Sequence, residues 1–140
     1  MIRRGGKIAF TVWAVPEKAV GFQMVLLAIE AHGKMDVPIP PGPPFFRFSD
    51  VEESSRALCE AGFSDPEVRE VSQTWHIPSP DTPFGLLMRG TVRAAAILNA
   101  QTPDALAKIE ETVAETAAPY REGGELRVPM PCVLASATKR

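Results

Sequence analysis

The chain has 140 residues, 45% of them hydrophobic and 23% charged, with a net charge of −2. That is enough for one domain with a real core. The charge balance excludes a basic nucleic-acid footprint, and no run of about 18 apolar residues offers a membrane span. Arg3, Arg4 and Lys7 are followed by no clean apolar segment with a cleavage site, so no signal peptide is read and the expected compartment is the cytoplasm. Cys59 and Cys132 are far apart and form no CxxC pair, so neither a disulfide framework nor a metal site is expected.

In chain order, "GGKIAFTVWA" (5–14) reads as a strand. Ile8, Phe10, Val12 and Trp13 stand among small residues, both faces look apolar, and this is the pattern of an interior strand. "PEKAVGFQMVLLAIEAHG" reads as a helix, with Pro16 and Glu17 in its first turn and Gly33 as its stop. It is apolar on most sides from Val20 to Ile29 and requires cover.

Residues 36–46, "DVPIPPGPPFF", hold many of the 14 prolines and form a connector, because proline removes donors and extends the residue before it. "SDVEESSRALCEAGF" then predicts a capping box, Ser49 at the N-cap and Glu52 at N3, with Val51, Leu58 and Cys59 as a buried stripe and Gly62 as the stop. Residues 66–75 read as a charged edge strand. From Asp81, one helix carries Phe84, Leu87, Met88, Thr91, Ala95 and Leu98 at helical spacing. A second begins at Thr102-Pro103, with Leu106, Ile109 and Val113 on one face. "GELRVPMPCVLASA" closes the chain as a strand that pairs best from Cys132 to Ala137, Pro129 and Pro131 overhanging the sheet.

Three segments in this order carry a family resemblance: "IRRGGKIAFTVWA", "FFRFSDVEESSRALCEAGFSDPEVREV" and "LRVPMPCVLASATK". The first resembles strand five of a class I S-adenosylmethionine-dependent methyltransferase. The second resembles the helix with an "EAGF" turn and strand six, and the third resembles strand seven. The resemblance implies an α/β, partial Rossmann-like methyltransferase fold. Its three-stranded mixed sheet would have the parent order 5-7-6, with about four helices.

Residues 1–140 are then a single methyltransferase-like C-terminal domain, with the connector at 36–46 and a helical cap insertion at 81–118. The family's cofactor site lies in its first half, in a Gly-rich loop and an acidic residue that have no counterpart here. "RRGG" precedes a strand and lacks the GxGxxG spacing. The implied function is the substrate-side half of such an enzyme, inactive alone. S-adenosylmethionine is the cofactor of the parent family and is not expected to bind this chain by itself. Two alternatives stand beside it: a non-catalytic homodimer that binds an apolar small molecule, and a subunit completing a cofactor-binding partner chain.

No residue is assigned a catalytic, cofactor-binding or metal role. In open α/β sheets, ligands bind beyond the carboxyl ends of the parallel strands. Trp13 and Trp75, each ending a strand, therefore define the candidate substrate pocket. Phe46 and Phe48 after the connector, His76 beside Trp75, and Arg89 on the following helix join it. Phe45 belongs to the same aromatic cluster, ordinary core packing is the competing account of the phenylalanines, and a solvated loop is that of His76. Arg89 and Arg93 are spaced to share one helix face, and His32 suits a helix C-terminus. The strand at 7–13 would lack the neighbour that strand four provides in the family. Ile8, Ala9, Phe10, Thr11 and Val12 carry no charge and no proline to blunt that edge, so a homodimer through it, or a partner chain, is expected.

Overall fold

The computed structural model describes residues 2–140. The chain folds as a mixed α/β protein in two compact units. The first holds the chain up to Ala19, Gly42–Gln73 and Met130–Arg140, and the second holds Val20–Pro41 and Thr74–Pro129. Among the described residues, no helix is long and apolar enough to cross a membrane.

The first unit is built on strands β1 (Lys7–Trp13), β2 (Phe63–Val71) and β6 (Cys132–Lys139), with helix α2 (Val51–Glu60). The strand order is β1-β6-β2, the order that the resemblance implies for these three segments. Both pairings are antiparallel, so β1 and β2 run parallel to each other on either side of β6 and the sheet is antiparallel throughout rather than mixed. Leu58, Phe63, Ala135 and Ala137 form the core on the α2 side, with Ile8, Phe10 and Val68 packed against it.

The interior-strand expectation for β1 does not hold in this unit. Lys7, Ala9 and Thr11 are exposed and alternate with half-buried Ile8, Phe10 and Val12, the period of a strand with one covered face. β2 lies at the other edge, where its charges predicted it. It begins three residues before the expected start, and its register shifts between Ser64 and Glu67, where Asp65 takes a φ of 53° before Pro66.

The cap of α2 is shifted by one residue from the predicted box. Asp50 is the N-cap and its carboxylate accepts the Glu53 N–H at 2.7 Å. Ser49 instead closes a 3₁₀ turn, Arg47–Ser49, that ends the proline connector. The buried stripe is Ser54 and Leu58; Val51 is 50% exposed and Cys59 is exposed. Gly62, with φ of 80°, supplies the left-handed residue that turns the chain into β2.

The second unit was not foreseen as a separate body with its own sheet. Strands β3 (Thr74–Pro78), β4 (Arg121–Glu122) and β5 (Glu125–Pro129) form an antiparallel sheet of order β3-β5-β4. Two expected strands are each divided between the sheets. Residues 66–75 separate into β2 and β3 at Ser72-Gln73, and "GELRVPMPCVLASA" separates into β5 and β6 at Met130-Pro131. Two prolines flanking Met130 interrupt pairing there, so they change the sheet rather than overhang it.

Helices α1 (Val20–His32), α3 (Pro83–Gly90), α4 (Arg93–Asn99) and α5 (Pro103–Ala117) complete this unit, giving five α-helices among the described residues where about four were expected. Pro16 and Glu17 precede α1 in a turn closed by Ala19 N–H to the Val15 carbonyl at 2.9 Å. Residues 81–118 hold three helices, not two. Thr91 breaks the expected first one: its backbone is extended, its hydroxyl donates to the Leu87 carbonyl at 2.8 Å, and the same oxygen accepts the Ala95 N–H at 3.3 Å. One side chain thus ends α3 and starts α4. Val25 and Ile29 of α1, Leu87 of α3, Leu98 of α4, Ile109 and Val113 of α5, and Leu126 of β5 are all fully or nearly fully buried.

Candidate functional site

Within the first unit, the carboxyl ends of the two parallel strands meet the start of β6. Trp13 and Val71 both lie opposite Cys132 in the register. Two residues past β2, Gln73 returns: its carbonyl accepts the Met130 N–H at 2.8 Å and its amide Nε2 donates to Cys132 Sγ at 2.8 Å. Thr11, Val12, Trp13, Gln73 and Cys132 line a cleft of about 290 Å³. An indole, an amide and a buried thiol thus converge where the strand ends place a ligand in α/β proteins. The thiol is held in place as the acceptor of the Gln73 amide.

Trp13 is therefore at the expected end of the sheet. Phe48 is near it in the same unit: its ring meets Phe10 edge to face at 6.0 Å, and the Arg47 guanidinium sits 5.2 Å from its centroid. Phe46 packs instead against Phe45, with ring centroids 4.8 Å apart. The 3₁₀ turn that carries these residues is tied down by Ser49, whose hydroxyl donates to the Trp13 carbonyl at 2.6 Å. A second, apolar cleft of about 250 Å³ opens beside β1, lined by Ile8, Phe10, Phe48, Ala57, Leu58 and Phe63 among others.

The other three candidates belong to the second unit. Trp75 lies within β3, not at the end of the strand that holds Val71, and its ring meets Phe22 at 6.1 Å. His76 is on the same strand. Its Nδ1 lies 3.0 Å from Glu125 Oε1, an orienting carboxylate that spacing along the chain could not reveal because it comes from the neighbouring strand. Glu125 also accepts from Arg127 Nε at 2.9 Å, and Arg127 pairs with Glu122 at 3.1 Å. The hydrogen bonds from His76 and then Arg127 hold the Glu125 carboxyl below its ordinary range. The group is exposed, so this is a solvated charge network on one sheet face.

Arg89 ends α3 and pairs with Asp81, whereas Arg93 opens α4 and reaches the Pro40 carbonyl at 3.4 Å. The two arginines sit on different helices and do not make one anion-holding face. His32 Nε2 meets the Thr112 hydroxyl at 2.9 Å, a tie between α1 and α5. Gln73 and Cys132 were the residues missed. A cysteine placed by Pro131 at the start of a strand antiparallel to β1 was the available signal.

Held against the cofactor that the resemblance implies, the residues present do not fit it. Such a group needs free backbone donors at a Gly-rich turn between a strand and a helix. Among the described residues no such turn occurs. Gly5 and Gly6 precede β1, and their N–H groups are already used, on the Lys139 carbonyl at 2.8 Å and the Arg3 carbonyl at 2.9 Å. Among the described residues there is also no cluster of three or more metal-ligating side chains. No protein-family model matches the chain, and no curated protein matches it at a significant level.

Proposed function

We propose that the chain is the substrate-side half of a class I S-adenosylmethionine-dependent methyltransferase-like fold, without methyl transfer of its own. The observation that carries this reading is the order β1-β6-β2, with a central strand antiparallel to two flanking strands that share a direction. That is the order 5-7-6 of the parent sheet. The outer edge of β1 would receive strand four from a cofactor-binding half, and the Trp13–Gln73–Cys132 cleft would lie on the acceptor side. The chain's own part in any reaction is then to hold and orient the acceptor, since proximity supplies much of a transfer rate.

Calorimetry with S-adenosylmethionine tests the cofactor side. The isolated chain is expected to give no binding in the low micromolar range, which would need roughly −8 kcal/mol of contacts. Saturation at such concentrations would overturn the claim that the cofactor must be held elsewhere. Acceptor binding is followed separately through tryptophan emission, with Trp13→Ala expected to weaken it.

A second reading is a non-catalytic homodimer that takes an apolar small molecule. The apolar cleft beside the open edge of β1 favours it, because Ile8 and Phe10 remain half-buried there. Sedimentation separates the two: a monomer at micromolar concentration removes the second reading and leaves the first intact.

A further inference from the structure

We infer that the Trp13–Gln73–Cys132 cleft selects neutral, planar aromatic molecules that present an O–H or N–H group, and that Gln73 Oε1 is the acceptor that reads this group. The inference rests on the first reading above and names the class of acceptor molecule which that cleft would hold.

The sheet brings the cleft together. The Gly6 carbonyl accepts from Lys139 N–H at 2.7 Å and Ala14 N–H donates to the Pro131 carbonyl at 3.0 Å, so even-numbered residues of β1 bond toward β6. The register runs without a shift from Lys7↔Thr138 to Trp13↔Cys132 and carries that parity along the strand. Trp13 and Cys132 are therefore a non-hydrogen-bonded pair, the more closely spaced kind, with both side chains on one face. Thr11, two residues back, is on the same face. Ile8 and Phe10 alternate with them and pack on the other face, against the core that Leu58 of α2 covers. The cleft thus lies on the side of the sheet away from α2.

Hydrogen bonding leaves one arm of Gln73 to spare. Its Nε2 donates to Cys132 Sγ at 2.8 Å, and its main-chain carbonyl accepts the Met130 N–H at 2.8 Å. The residue is held at both ends. Its carboxamide is planar, and Oε1, on the other arm, has two lone pairs to offer. Among the described residues Oε1 meets no donor, and the Thr11 hydroxyl meets no partner. The bond to Cys132 fixes which arm is nitrogen and which is oxygen, so the cleft offers an acceptor oriented in advance.

That arrangement sets the ligand class. A ligand O–H or N–H can donate to Oε1, whereas a ligand carbonyl or carboxylate would meet it lone pair to lone pair. Thr11, Val12, Trp13, Gln73 and Cys132 include no charged side chain, which favours a neutral molecule. The Trp13 indole gives the cleft a flat aromatic wall, which favours a ring that stacks or meets it edge on. A volume of about 290 Å³ is at the small end for a ligand site and suits one or two rings.

The test uses the full chain and two probes that differ by one methyl group, 4-nitrophenol and 4-nitroanisole, at pH 6, where the phenol keeps its proton. Binding is read from the indole N–H signals of the two tryptophans by nuclear magnetic resonance, assigned with Trp75→Phe. 4-Nitrophenol should shift the Trp13 signal and bind about fivefold tighter than 4-nitroanisole, the worth of one net hydrogen bond. Gln73→Met has a side chain of the same length and no acceptor. In it the phenol should fall to the level of the anisole while the anisole stays unchanged. A merely structural role for Gln73 would weaken both probes together, and that outcome overturns the assignment of Oε1. Equal affinity of the two probes for the unmodified chain overturns the inference whatever the variant does, and leaves the first reading standing. A Trp13 signal that neither probe moves at millimolar concentration removes the cleft as a ligand site. Failure of the first reading is a separate event, read as S-adenosylmethionine saturating the isolated chain in the calorimetry above.

Discussion

The hydroxyl of Ser49 donates to the main-chain carbonyl of Trp13 at 2.6 Å. One contact thereby ties the end of the proline connector to the end of β1, 36 residues away in sequence. Its neighbour Asp50 does a different job, capping α2 through the Glu53 N–H. Ser49→Ala should lower unfolding free energy by about 1 kcal/mol while leaving helix content unchanged. Asp50→Ala should cost about 1 kcal/mol with a visible loss of helix signal. Chemical denaturation followed by both circular dichroism and Trp emission separates them. Equal helix loss in both variants would return the cap to Ser49.

Glu53 sits between two guanidinium groups. Hydrogen bonds from Arg56 and then Arg47 hold its carboxyl below the ordinary value of 4.5. A carboxyl lowered in the folded state contributes stability that is present above the unfolded value and lost as pH falls through the folded one. The window is therefore acidic, below about 4.5. The wild-type chain should lose stability there more steeply than Glu53→Gln, measured as denaturation midpoints from pH 6 downward. Parallel curves would remove this pair of contacts as a source of acid sensitivity. Both arginine partners are exposed, so the difference between the curves should be small and shrink with added salt.

Cys132 accepts the Gln73 amide and is buried, whereas Cys59 is exposed. A thiol reagent should label Cys59 rapidly in the native protein and Cys132 only after unfolding. Gln73→Ala should open the cleft and speed labelling of Cys132 several-fold without changing Cys59. If Cys132 reacts as fast as Cys59 in the unmodified chain, Cys132 is not the buried, Gln73-bonded thiol described above.

The parts of the fold legible in the sequence are those set by period and by local caps. The strand at Lys7–Trp13, the helix at Pro103–Ala117 with Thr102 as its cap, and the strand from Cys132 all follow from local pattern. Breaks set by distant partners were not legible. Ser72-Gln73 and Met130-Pro131 look like continuations of strands, yet each carries the chain from one sheet to another. The two breaks are tied to each other through Met130 N–H and the Gln73 carbonyl. Thr91 shows the same limit on a helix: its apolar neighbours keep helical spacing across a residue whose own backbone is extended. The site followed suit. Trp13 could be placed because it ends a strand, but Trp75 was moved by the break at Gln73, and the Glu125 partner of His76 needed a cross-strand register that spacing does not contain.

The central strand of the β1-β6-β2 sheet is the last element of the chain. Synthesis therefore delivers β1 and β2 long before the strand that joins them. The second unit is complete at Pro129, whereas the first is completed only by β6. Until then Ile8, Phe10 and Val12 have neither a sheet partner nor a finished core, and a nascent chain is most open to wrong pairing at this strand. A message cut short before the codon for Cys132 would leave β1 and β2 with nothing between them, so the segment Met130–Arg140 decides whether the first unit can form at all.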